Sequence, residues 1–185
     1  MKFIAIPLVY NNNFYYFNKL LGILLFRKNQ IEKVVFDITP PHAKLNYQLI
    51  LNPYLIEYCD KKVEIPKIPF AAKIYAKLMV FFSKYSFYSV CILAKFPIIK
   101  FPSSQDAVDV FNKIYSDPLQ QRTLCLPRTL FVIATSKSFK KNGTAFIGVF
   151  LPSRKMHAWV IEKGCNPDSL DAIWLSYQPV VAIIK

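Results

Sequence analysis

A thiol, an imidazole and a carboxylate occur in that order near the end of the chain. The thiol is Cys125, in Arg122-Thr123-Leu124-Cys125-Leu126-Pro127-Arg128-Thr129-Leu130. The imidazole is His157, in Met156-His157-Ala158-Trp159-Val160, and the carboxylate is Asp168, in Pro167-Asp168-Ser169-Leu170-Asp171. Asp171 is the alternative acid. Such a set can perform nucleophilic acyl chemistry. The thiolate attacks a carbonyl, the imidazole takes and returns the proton, and the carboxylate fixes the tautomer and stabilises the imidazolium. The chain has 2 histidines. If an imidazole is the base, only His42 competes with His157.

Each residue also has a plainer reading. A single cysteine is more often a buried structural thiol. His157 could be a hydrogen-bonded core histidine at a strand start, and Asp168 the N-cap of a following helix. The order and the surrounding elements favour the chemical reading. Thr123 to Thr135 suits a helix with Cys125 in its first turn, where Pro127 is tolerated. There the positive end of the helix dipole lowers a thiol pKa. The backbone amide of the nucleophile commonly serves as an oxyanion donor in such sites. Thr144 to Leu151 and His157 to Glu162 read as strands, with turns at Asn142-Gly143 and Lys163-Gly164. Asp168 to Ser176 reads as helix and Pro179 to Ile184 as a last strand.

Composition bounds the rest. With 54% hydrophobic and 19% charged residues in 185, the chain can bury a core and is not of disordered type. The 4 glycines are too scattered for a phosphate-cradling loop. The 4 cysteines, Cys59, Cys91, Cys125 and Cys165, form no Cys-x-x-Cys pair, so a structural zinc is not expected. The opening apolar run reads as a strand rather than a signal sequence, and reduced, cytoplasmic thiols are the expectation. A net charge of +13 favours acidic surfaces without choosing among them.

The first 69 residues are less regular. Lys2 to Phe17 suggests a hairpin, Asn18 to Phe26 a helix, and Gln30 to Thr39 a strand ended by Pro40-Pro41. A polar, proline-marked stretch from Cys59 to Pro69 suggests a boundary, dividing the chain into 1–69 and 70–185. Helical spacing follows from Ala71 to Val80, with Ile74, Leu78 and Phe81 on one side. Ser103-Ser104-Gln105-Asp106 starts another helix, with Val108, Phe111 and Tyr115 as its stripe. The apolar tract from Ile74 to Phe101 is interrupted by Lys77, Lys84 and Lys95 and is too broken to span a membrane. Helices buried against a core are expected there, with peripheral membrane contact as the other option.

Four segments in register carry a resemblance. They are Cys125-Leu126-Pro127-Arg128-Thr129-Leu130; Gly143-Thr144-Ala145-Phe146-Ile147-Gly148-Val149; His157-Ala158-Trp159-Val160; and Asp168 with the closing Pro179-Val180-Val181. Over about Arg122 to Lys185 the chain resembles the lasso-peptide leader peptidases, or B proteins, of the transglutaminase-like superfamily. The resemblance implies an α+β, papain/transglutaminase-like core. In it, a Cys-bearing helix packs on an antiparallel sheet carrying His and Asp, behind a small N-terminal region able to recognise a leader. It implies Cys125 as nucleophile, His157 as base and then acid, and Asp168 as orienter. The spacing from His157 to Asp168 is one residue short of the family's, and Pro167 replaces a β-type residue, which keeps Asp171 in view. Arg128, one helical turn from Cys125, would contact substrate, brace a carboxylate or make a structural salt bridge. Trp159 shares the strand face of His157 and would wall the site or pack in the core.

The implied activity is removal of the leader from a ribosomally made precursor peptide through a thioester. The implied partners are that precursor and an asparagine-synthetase-like cyclase that uses ATP. No intrinsic cofactor, no metal and no nucleic-acid partner is expected. Two alternatives remain: a transglutaminase-like acyltransferase with the same site, and a non-catalytic basic adaptor that presents the peptide.

Overall fold

Strand-type residues mark both ends of the chain and helix-type residues its middle, and the fold follows that division. The computed structural model describes residues 1–6, 8–10, 13–18, 23–28, 57–58, 68–150, 153, 155–168, 174 and 176–185. Over these the molecule is α+β. The first strands are β1 (Lys2–Ala5), β2 (Leu8–Tyr10), β3 (Asn13–Asn18), β4 (Ile23–Lys28) and β5 (Glu57–Tyr58). The helices are α1 (Phe70–Tyr85), α2 (Phe87–Leu93), α3 (Ser104–Ile114), α4 (Pro118–Thr123), α5 (Cys125–Thr135) and α6 (Phe139–Asn142). The last strands are β6 (Gly143–Phe150), β7 (Lys155–Glu162), β8 (Cys165–Asn166) and β9 (Gln178–Ile184).

Among the described residues, six strands form one sheet in the order β1-β9-β6-β7-β8-β5. Its pairings are antiparallel except β5 with β8. Two of its strands thus come from the first 69 residues. Strands β2, β3 and β4 make a separate antiparallel sheet. Alternation gives the large sheet two apolar faces. Ala145, Ile147, Val149, Ala158 and Val160 share one core with the buried sides of α1, α3 and α5. Phe146, Trp159, Ile161, Trp174 and Ala182 form a second cluster.

Helix α3 starts where the sequence places it. Ser103 and Asp106 form a reciprocal capping box, and Glu162 at the end of β7 accepts from the Ser104 amide at 3.2 Å. The last carbonyls of α5 are satisfied by Lys185 and Lys100, whose ammonium groups donate to Ala134 at 3.1 and 2.6 Å. That sign of charge also suits a helix C-terminus.

Several expectations change. The hairpin expected over Lys2 to Phe17 forms between β2 and β3, while β1 leaves it to pair with β9. Its alternation explains this, since Phe3 packs with the first core and Ile4 with the second. Ile23–Lys28 is a strand, not the end of a helix, because six residues pair with β3; a short apolar run carries no period that separates the two. Asn142 closes the helical turn α6, and β6 begins directly at Gly143. The strand expected over 30–39 lies outside the described residues, as does most of the helix expected over 168–176. The Lys163-Gly164 turn forms as read, with both residues at positive φ, 52° and 82°, which suits a tight hairpin.

Candidate active site

Cys125 opens α5, immediately after the short helix α4 and the single residue Leu124. Pro127 lies in the first turn, where an amide has no intrahelical acceptor to lose. The body of the helix, from Pro127 to Thr135, is buried. Cys125 therefore sits at the head of a buried helix whose start alone approaches the surface.

His157 lies on β7, opposite Gly148 on β6. The far edge of β7 is covered by β8 only at Glu162, which pairs with Cys165. Near the start of β7, Cys125 meets the backbone at Ala158. Its sulfur accepts from the Ala158 backbone N–H and hydrogen-bonds with the His157 ring. Burial pushes the Cys125 thiol up. The His157 hydrogen bond and charge, the Ala158 amide and the Arg128 charge together outweigh burial, and the thiol ends below its ordinary value. A lowered thiol pKa beside an imidazole raises the thiolate fraction at a given pH.

The imidazole is only 4% exposed and sits between two rings. Trp159 lies nearly parallel to it, with centroids 6.0 Å apart, and Tyr177 is tilted at 5.1 Å. Trp159 also stacks on Phe146 and touches Trp174. The faces of Trp159 and Tyr177 hold the ring in place and attract it electrostatically when it is cationic.

Two backbone features make this possible. A Cβ at Gly148 would lie 2.6 Å from the Trp159 ring and 2.8 Å from the Gln178 carbonyl. Between Ile147 and Gly148 the pairing of β6 with β9 also slips by one residue, so Ile147 faces Val181 and Gly148 faces Pro179. Pro179 has no N–H to offer the ladder. The bulge redirects the start of β9, next to which Tyr177 covers His157. Gly148→Ala is accordingly expected to lower stability by about 1–3 kcal/mol and to displace Trp159. Near-ultraviolet circular dichroism and Cys125 alkylation rates would register both effects. Unchanged spectra and rates would show that the tryptophan does not need the space.

Asp168 is buried beside the site. Its Oδ2 forms an ion pair with Arg128 Nη2 at 2.8 Å, without an aligned hydrogen bond. Its Oδ1 accepts from Asn112 Nδ2 at 3.2 Å. Arg128 Nη1 in turn donates to Asn112 Oδ1 at 3.4 Å, and the Asp168 amide donates to Asn166 Oδ1 at 2.9 Å. Arg128 thus braces a carboxylate, one of the roles its position allowed. Asp171 and His42 lie outside the described residues.

The network adds residues that the motif did not single out. Asn112 sits one turn after Val108 on the apolar stripe of α3, and a buried amide in such a stripe is the signal that marks it. Its position is fixed from both ends, because Glu162 holds the start of α3 and Gln121 of α4 donates to the Asn112 and Tyr115 carbonyls at 3.1 and 2.8 Å. Tyr177 and Asn166 likewise carried no local pattern, whereas Gly148 lay within a quoted segment that did not disclose its packing against Trp159.

No protein-family model, curated protein or solved structure matches this chain. Among the described residues there is also no group of three His, Cys, Asp or Glu side chains placed to hold a metal. No helix among them is long and apolar enough to cross a membrane.

Proposed function

We propose that this chain is a cysteine peptidase with a papain/transglutaminase-like core that removes the leader from a ribosomally made precursor peptide. The observation that carries the reading is the contact of the Cys125 sulfur with both His157 and the Ala158 amide, at the start of a buried helix. The four-segment resemblance supplies the substrate class.

In this reading the Cys125 thiolate attacks the carbonyl at the leader–core junction. The Cys125 backbone N–H, in the first turn of α5, stabilises the developing oxyanion. The His157 imidazolium gives its proton to the departing amine, which becomes the N-terminus of the core. The leader is left as a thioester on Cys125. His157 then takes a proton from water, the hydroxide adds to the thioester carbonyl, and collapse releases the leader acid and the Cys125 thiolate, which with the His157 imidazolium is again the resting pair. Asp168 orients the imidazole, and Arg128 holds Asp168. Reduced, cytoplasmic thiols suit this chemistry, and Cys91, Cys125 and Cys165 are free. A cyclase resembling asparagine synthetase would use ATP to close the new amine onto an acidic side chain.

The pH dependence of alkylation tests the pair. Because the Cys125 pKa is lowered in the folded protein, thiolate is present at lower pH than for an ordinary thiol. The iodoacetamide rate at Cys125 should rise through a midpoint below that of a free cysteine, about 8.5. In His157→Ala the two contributions from the imidazole vanish and burial remains, so the midpoint should move upward. A midpoint that does not change in His157→Ala would sink the pair. Product mass then separates hydrolysis, which adds one water, from acyl transfer to an amine, which does not.

A further inference from the structure

Helix α1 packs through one side and presents another to solvent. Ala72, Tyr75, Ala76 and Met79 are buried, and Tyr75 donates its hydroxyl to the Leu93 carbonyl at 2.9 Å. On the opposite side, Phe70, Ile74, Leu78, Phe81 and Tyr85 fall on a stripe about 80° wide at 3.6 residues per turn. Their exposures are 76, 39, 36, 53 and 73%. This is the stripe the sequence marks with Ile74, Leu78 and Phe81, and it faces outward. Lys73, Lys77 and Lys84, all exposed, line one flank of it, about 20–60° further round.

The charge along this part of the sequence has one sign. From Ile65 to Gln105 there are six lysines and no Asp or Glu. Beyond α1, Tyr88 and Phe96 are also exposed, at 56 and 69%. A second copy of the chain placed stripe to stripe would bring lysines against lysines. A bilayer with anionic headgroups meets both features: it accepts the apolar stripe at the acyl boundary, pairs with the lysine flank, and suits aromatic rings at the interface. We infer that α1 is an interfacial helix that docks this protein on anionic lipid surfaces, lying in the plane of the membrane. The assignment uses no residue of the Cys125–His157 site and stands apart from the peptidase reading.

The test is co-sedimentation of the full chain with vesicles. Binding is expected to equal parts of phosphatidylcholine and phosphatidylglycerol, and little to phosphatidylcholine alone. The double variant Phe81→Ser/Tyr85→Ser should bind about tenfold more weakly or worse. The triple variant Lys73→Gln/Lys77→Gln/Lys84→Gln should lose about a hundredfold. All these positions are exposed, so thermal unfolding should not change, and Cys125→Ala should bind like the parent. Failure of the parent to sediment with the anionic vesicles would overturn the inference. So would equal binding by parent and Phe81→Ser/Tyr85→Ser, which would reduce the effect to attraction of a +13 chain. A dimer seen by light scattering and abolished by those two serines would reassign the face to self-association.

Discussion

Cys125→Ala is expected to abolish leader removal, by a factor of about 10,000 or more, and to leave the fold intact. The sulfur is what the site is built around, since it meets the imidazole and the Ala158 amide of β7 at once. Alanine removes the nucleophile but keeps the helix former at the head of α5. His157→Ala should fall to nearly the same floor, and the double variant should be no worse than either single one, because members of such a unit do not act additively. The other thiols provide the control. Burial pushes the Cys91 thiol up to about 12, so at neutral pH it should be the last described cysteine to react. Loss of activity on alkylation that maps to Cys91 or Cys165 and spares Cys125 would remove Cys125 from its role. Full processing by Cys125→Ala would favour the non-catalytic adaptor instead.

How much of this site the sequence discloses depends on how local its causes are. The helix that begins at Cys125, the strand through His157 and the Lys163-Gly164 turn each rest on a few adjacent residues whose periodicity and backbone preferences agree. Those elements are legible. The stacking of Trp159 on His157 follows from their two-residue spacing on a strand, and so is legible too. The partner of Asp168 is a different matter. Arg128 lies 40 positions earlier on α5, and Asn112 is earlier still on α3. Nothing local in the sequence chooses between Arg128 bracing a carboxylate and Arg128 reaching the substrate. The same holds for β1, whose partner β9 lies at the other end of the chain. Its alternation shows that it is a strand but not which edge it completes. The outward stripe of α1 was legible as a stripe. Its direction was not, because the small residues Ala72 and Ala76 with Tyr75 and Met79 make an equally apolar opposite side, and the closer packing they allow takes that side inward.

The contact between Asp168 and Arg128 sets the second large effect. Read as an orienter alone, Asp168 could become asparagine with loss of turnover and little else. In the folded protein, however, its side chain is 7% exposed and that of Arg128 8%. Asp168→Asn therefore takes away a carboxylate paired at 2.8 Å with a buried guanidinium. Breaking one member of such a pair costs about 3–5 kcal/mol, a large part of the 5–15 kcal/mol that holds a typical domain together. A drop of about 10 °C in the unfolding midpoint is expected, together with loss of turnover. Stability and chemistry separate in the double variant Arg128→Met/Asp168→Leu, which removes both charges and keeps apolar volume. Its stability should return most of the way to the parent's, since desolvation of the two ions is no longer required. Its turnover should stay low on the proposed reading, in which Asp168 is the carboxylate that orients His157. If the double variant regained both stability and turnover, Asp168 would be a structural anchor for α5, and Asp171 would become the acid to test by substitution with asparagine. If Asp168→Asn cost less than about 1 kcal/mol, the guanidinium would have to find solvent, and the buried pair would not be what holds α5 against the segment after β8.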